Sequence, residues 1–134
     1  MANSFHKITI IGNLGREPEM RFTPSGQPVT TMSVATTRVF MRGEEKVEET
    51  TWFRVTAWGK QAETCAQYLH KGSKIHVEAR LNPDPQGNPR VWTNKEGQPA
   101  ASYEVTAETI NFLSSNGNGS GQPVAEEEGT TIPF

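Results

Sequence analysis

The chain has 134 residues, 13 Lys and Arg against 15 Asp and Glu, a formal net charge of -2, and 34% hydrophobic residues. One small domain fits that length, and 12 Gly with 9 Pro interrupt it too often for a helical bundle. No apolar run is long enough for a membrane-spanning helix, the single cysteine rules out an internal disulfide or a multi-cysteine metal site, and the overall acidity argues against nucleic acid.

In chain order, Phe5 to Asn13 reads as a strand that stops at Gly12-Asn13-Leu14-Gly15, and Glu17 to Gly26 reads as turn chemistry. A second strand spans Val29 to Arg38, with Met32 and Val34 on one face among several threonines. Arg42 to Glu49 has no period and reads as a charged loop, and a third strand covers Thr50 to Trp58. The period then changes. Ala62, Cys65, Ala66 and Leu69 recur at helical spacing, which predicts a short amphipathic helix over 61–71 with Gly72 as its left-handed cap. From Lys74 the alternation returns, with Ile75, Val77, Ala79 and Leu81 inward and Lys74, His76, Glu78 and Arg80 outward. A Pro/Gly-rich loop from Asn82 to Pro89 leads to a ribbon at Val91 to Thr93, which Asn94 to Gly97 turns back. The last strand, Ser102 to Leu113, points Tyr103, Val105 and Ala107 inward, then Ile110 and Phe112; that parity switch predicts a bulge near Thr109. Three strands, a helix and two more strands are the order of an all-β OB-fold, a five-stranded Greek-key barrel with one helix between strands three and four.

After Leu113 the composition shifts. Ser114 to Pro123 is a Gly/Ser/Asn linker, followed by Glu126, Glu127 and Glu128 and an end at Ile132-Pro133-Phe134. The expected division is therefore 1–113, the barrel, and 114–134, a disordered tail. All 13 basic residues lie before Ser114, so the body carries +1 and the tail -3. As a flexible chain the tail reaches about 25 Å on average.

The third strand carries the most chemistry. With Phe53, Val55 and Ala57 toward the core, alternation puts Trp52, Arg54, Thr56 and Trp58 on the opposite face. An ordinary tryptophan pair is buried against a helix or a partner. Here the other face is already apolar, and an arginine between two exposed indoles suits an unstacked nucleic-acid strand. Bases stack on such rings for about 1 to 3 kcal/mol each, and the guanidinium meets phosphate.

The sequence resembles the bacterial single-stranded DNA-binding protein family. The likeness is carried by Lys7-Ile8-Thr9-Ile10-Ile11-Gly12-Asn13-Leu14-Gly15-Arg16-Glu17-Pro18-Glu19, by Thr51-Trp52-Phe53-Arg54-Val55, by Ala57-Trp58-Gly59-Lys60, by Tyr68 to Ser73 and by the terminal Ile-Pro-Phe. The resemblance implies DNA stacking by Phe40, Trp52, Trp58 and Trp92, with phosphate contact by Lys7, Arg54, Lys60 and Lys71. For Lys60 and Lys71 a solvated helix end is the equal alternative. It implies a homotetramer, for which Ile8, Ile10 and Ile11 leave strand one apolar on both faces. It further implies cytoplasmic work on the nucleoid in DNA replication, recombination and repair, with partner enzymes engaged by Ile132, Pro133 and Phe134 and by Glu126 to Glu128.

Departures from the family pattern are Phe53 in place of an interface histidine, an insertion over Asn82 to Pro89, an acidic Glu44 to Glu49 loop and a Gly129 to Thr131 spacer. His6, His70 and His76 have no metal-ligand spacing, and no nucleophilic set or phosphate-cradling loop occurs, so neither an enzyme, a metal nor a cofactor is expected. Two other classes use the same barrel. A dimeric OB-fold primosome or RNA-binding module would have no use for the tail, and a nuclease would need carboxylates clustered on a metal.

Overall fold

The computed structural model describes residues 3–113. The linker from Ser114, the glutamates 126–128 and the Ile132 to Phe134 tip lie outside the described residues.

Eight strands and one helix follow in the order β1 (Ile8–Leu14), β2 (Glu19–Phe22), β3 (Pro28–Arg42), β4 (Glu45–Trp58), α1 (Lys60–Tyr68), β5 (Lys74–Leu81), β6 (Val91–Thr93), β7 (Pro99–Ala101) and β8 (Tyr103–Phe112). The main sheet runs β1-β5-β8-β4-β3, and β1 also pairs with β3, which closes five strands into a barrel with β2 appended at β3. This is the expected OB-fold. Closure comes from β1 switching partners: Ile8 to Asn13 pair with β5, while Asn13 and Leu14 pair with Ala35 and Val34 of β3. β4 and β8 supply the one parallel seam, from Phe53↔Tyr103 to Thr56↔Thr106.

The barrel interior is filled by the inward residues of each strand, including Ile10, Met32, Val34, Val55, Val77 and Val105, all buried. The helix closes one end with Ala62 and Cys65, joined by Leu69 just past its end, and the buried Thr30 hydroxyl donates to the Ala62 carbonyl at 2.7 Å, fastening the helix to β3. Each fully buried aliphatic side chain contributes about 1.5 to 3 kcal/mol, which is why strict alternation on β4 and β5 is so well kept. The bulge is where parity predicted it. Glu78 pairs with Thr109 and Ala79 with Ala107, leaving Glu108 as the extra residue.

Burial also pushes the Cys65 thiol up to about 11, so it stays protonated and inert. At pH 8 the native protein is expected to resist a thiol reagent for as long as it stays folded. Stoichiometric labelling within minutes without denaturant would contradict this.

Several elements differ from the sequence expectation. The charged segment after Arg42 is not a loop: β3 and β4 pair without a break from Val29↔Trp58 to Arg42↔Glu45, making a long arm beyond the barrel. Gly43, at φ 66, takes the first position of its two-residue turn, where the type II′ hairpin uses glycine. Cross-strand pairs hold the arm, with Arg38 Nε 2.8 Å from the Glu49 carboxylate and the Thr37 and Thr50 hydroxyls 3.0 Å apart. β2 was expected as turn and instead forms an exposed strand against Pro28 to Thr31. The helix stops at Tyr68, with Leu69 already extended, so Gly72 is not its cap. At φ 93 Gly72 sits inside the His70 to Ser73 turn, closed by the Ser73 N–H on the His70 carbonyl at 2.9 Å. Leu81, Tyr103 and Phe112 keep their parity but stand exposed, because they lie past the ends of the filled interior.

Candidate nucleic-acid interface

Several segments of the chain converge on one face of the barrel. The cleft they form, about 280 Å³, is lined by Arg16 and Glu17 after β1, Glu19 of β2, Thr31 and Ser33 of β3, Trp52, Phe53 and Arg54 of β4, Trp92 of β6 and Ser102 before β8. Alternation on β4 explains the central pair. Val55 and Ala57 are fully buried, so Trp52, Arg54 and Trp58 must face out, and the two indoles are 51% and 43% exposed. Trp92 reaches the cleft from the β6–β7 ribbon and is 41% exposed.

The Trp52 ring lies over the exit of β1. A Cβ built on Gly15 would stand 2.5 Å from the Trp52 ring carbon Cζ3 and 2.6 Å from Cη2, so the indole rests where only glycine leaves room. Gly15→Val is therefore expected to push the ring out of the cleft and to weaken oligonucleotide binding by up to the full contribution of one stacked base, about 1 to 3 kcal/mol. Fluorescence titration of the folded variant checks it; unchanged affinity would show that this seat does not matter.

The charges of the cleft are balanced but not equivalent. Arg16 and Arg54 have no acidic partner among the described residues, whereas Arg38, Arg80 and Lys7 are held in ion pairs with Glu49, Glu108 and Glu78. On the acidic side Glu17 is occupied. One carboxylate oxygen accepts from the Lys71 N–H at 3.0 Å and the other lies 3.2 Å from His70 Nδ1. The Lys71 N–H first, and the His70 ring second, hold this carboxyl below the usual carboxylate range. The pair staples the β1–β2 turn to the α1–β5 turn. Because the folded value is lowered, the staple is complete above the ordinary carboxylate range and is lost as pH falls through the lowered value. The Lys71 amide proton shift is expected to titrate with Glu17 in that acid range; a shift independent of acid pH would contradict the staple.

The residues singled out from the sequence do not all meet. Trp52, Arg54 and Trp92 share the cleft. Trp58 lies on the same strand face, opposite Val29, six residues or about 20 Å from Trp52. Phe40 pairs with Val47 on the arm, and the register gives it the ribbon face of Arg38 and Arg42 rather than that of Trp52. Its ring is covered by the Arg38 guanidinium at 4.4 Å and the Arg42 guanidinium at 5.9 Å. Lys7 is on the β1–β5 side, 3.2 Å from the Glu78 carboxylate, and that contact holds Glu78 low. Lys60 begins the helix two residues after Trp58, and Lys71 sits in the turn that Glu17 holds. Arg16, Ser33 and Ser102 were not anticipated as lining residues. Arg16 carried one signal, its place beside the glycine at the end of the first strand. No group of three potential metal ligands occurs among the described residues.

A closed OB barrel whose outer face presents exposed indoles beside arginines without an acidic partner among the described residues defines a protein of the oligonucleotide-binding class. Residues 5–113 match the model of the single-strand binding protein family, and the chain belongs to that family. It is 37% identical over 123 residues to single-stranded DNA-binding protein 1 of Chlorobaculum tepidum, covering 90% of this chain and 72% of that one. To the single-stranded DNA-binding protein of Neisseria meningitidis serogroup A it is 35% identical over 128 residues, 94% of this chain and 70% of that one. The fold superposes on an SSB of Plasmodium falciparum, solved in complex with ssDNA, with a TM-score of 0.67 at 24% identity, over 85% of this chain and 99% of that chain.

Proposed function

We propose that this protein binds single-stranded DNA without sequence preference, through stacking of bases on Trp52 and Trp92 and contact of phosphate with Arg16 and Arg54. The observation that carries the reading is the cleft itself: two half-exposed indoles from different strands with two arginines that make no ion pair among the described residues. The names of the relatives and their extent of identity support it. Trp58 extends the path along the Trp52 face, Phe40 would meet the strand where it passes round the arm to the opposite face, and Lys60 and Lys71 flank it. A body near neutrality can bind in this way because stacking supplies affinity that net charge does not.

In this reading four chains assemble into a homotetramer, the strand wraps around them, and the coated DNA is kept from re-annealing during replication, recombination and repair. The tail addresses partner enzymes. Phe134 offers a ring and a free carboxylate together, which suits a pocket apolar inside and basic at its lip, with Ile132, Pro133 and Glu126 to Glu128 adding contacts.

Tryptophan fluorescence titration with oligo-dT of increasing length tests the binding. Quenching that saturates at a site of tens of nucleotides supports the reading, and no quenching at any length would refute it. Removal of residues 132–134 should leave that quenching intact and abolish association with replication enzymes.

A further inference from the structure

The β6–β7 ribbon brings Trp92 into the cleft, yet it has no extensive packing against any other strand or helix. Its position depends on its two roots. One is covalent, since β7 runs through Ser102 directly into β8. The other is the Arg90 side chain, one residue before β6. Its Nε donates to the Asn82 carbonyl at 3.2 Å and its Nη2 to the Pro83 carbonyl at 2.9 Å. Asn82 is in turn tied to the barrel, its N–H donating to the Glu104 carbonyl of β8 at 2.9 Å. The intervening chain is closed by Asp84, whose Oδ1 accepts from the N–H groups of Gln86 and Asn88 at 3.0 and 2.9 Å. The Asn82 to Pro89 segment is thus an ordered bracket, and Arg90 joins it to the ribbon.

We infer that Arg90 is a positioning residue, which commits its guanidinium to the backbone of Asn82 and Pro83 and so holds the Trp92 indole in the cleft. This rests on the role proposed for the cleft. An arginine in an exposed loop of a nucleic-acid-binding protein would ordinarily be assigned to phosphate. Here two of its donors already meet two successive carbonyls, a match for the planar fork that a lysine ammonium cannot reproduce. Without it the ribbon swings on one root, and Trp92 spends only part of its time in place.

The test is a double-mutant cycle on the full chain, measuring affinity for labelled oligo-dT across a salt series for wild type, Arg90→Ala, Trp92→Ala and the double variant. Arg90→Ala is expected to weaken binding about fivefold, the loss for a binding-competent position held about a fifth of the time. In the Trp92→Ala background the same change should cost less than about 1.5-fold, because the two act as one unit. Arg90→Lys should fall between. An equal loss in both backgrounds, with a salt slope reduced by about 0.7, identifies a phosphate contact and overturns the inference. So does no loss at all.

A second measurement needs no DNA. In a Trp52→Phe, Trp58→Phe protein, Arg90→Ala should lower the fluorescence anisotropy of Trp92 and raise its quenching by acrylamide. Unchanged values would overturn the inference; changed values with no oligo-dT binding by wild type would sustain the bracket and refute the role of the cleft.

Discussion

Replacing Trp52 and Trp92 together by alanine is expected to weaken oligo-dT binding by about thirtyfold to twenty-five-thousandfold, while the barrel stays folded. Each ring stacks one base for roughly 1 to 3 kcal/mol, and the two stand on different elements facing one cleft, so their contributions should come close to adding. Neither side chain belongs to the buried core, so the melting temperature should stay near that of the parent. Arg16 and Arg54 remain in the double variant, so the salt dependence of the residual binding should be retained while its strength collapses. Equilibrium titration followed by anisotropy checks both. Loss below about threefold, less than the low end for a single stacked base, would place the strand elsewhere.

The second large effect concerns closure of the barrel. At Gly12 β1 crosses so near β3 that a Cβ would be driven into the Ala35 carbonyl oxygen, with the Val34 side chain also at 3.0 Å. A backbone oxygen in a paired strand cannot swing aside as a flexible side chain would. Gly12→Val is therefore expected to cost about 3 kcal/mol or more, at the upper end for overpacking, because it also pries apart the pairing of Asn13 and Leu14 with Ala35 and Val34. For a domain of this size that lowers the melting temperature by at least about 12 °C. Thermal denaturation followed by circular dichroism reads it directly. A shift of less than about 4 °C, under about 1 kcal/mol, would mean that β1 and β3 can part at Gly12 to admit a side chain.

What the sequence revealed follows where burial writes a pattern. β4 from Val55 to Ala57 and β5 from Ile75 to Ala79 alternate between fully buried and outward residues, and their faces could be read without a structure. The arm and β2 leave no such trace. Glu19 to Phe22 are exposed throughout, and the arm is solvated on both faces, so pairing there rests on the Gly43 turn and on cross-strand contacts that period counting does not see. Leu81 and Tyr103 show the complementary limit. Parity gives the direction of a side chain but not where the interior ends, and at the rim Tyr103 stands exposed with its ring 5.7 Å from that of Phe53.

The same distinction applies to the cleft. Trp52 and Arg54 share one strand, so alternation alone places them together. Ser33 joins them as the cross-strand partner of Arg54, and Arg16 and Ser102 only through closure of β1 on β3 and the parallel seam of β4 with β8, which are properties of the topology. Trp92 is intermediate: the family resemblance suggested its role, while the ribbon and its Arg90 bracket explain how it gets there. The net charge of -2 likewise averages over residues 1–113 at +1 and residues 114–134 at -3.

The central claim is that single-stranded DNA runs over the face bearing Trp52, Arg54 and Trp92. Photocrosslinking with an oligo-dT that carries 5-iodouracil at successive positions, followed by identification of the linked residues by mass spectrometry, tests it most directly. The account predicts that Trp52 and Trp92 dominate the linked peptides, with Trp58 and Phe40 appearing as the strand is lengthened. Linkage confined to the β1–β5 side, around Phe5 and the Lys7–Glu78 ion pair, would contradict it.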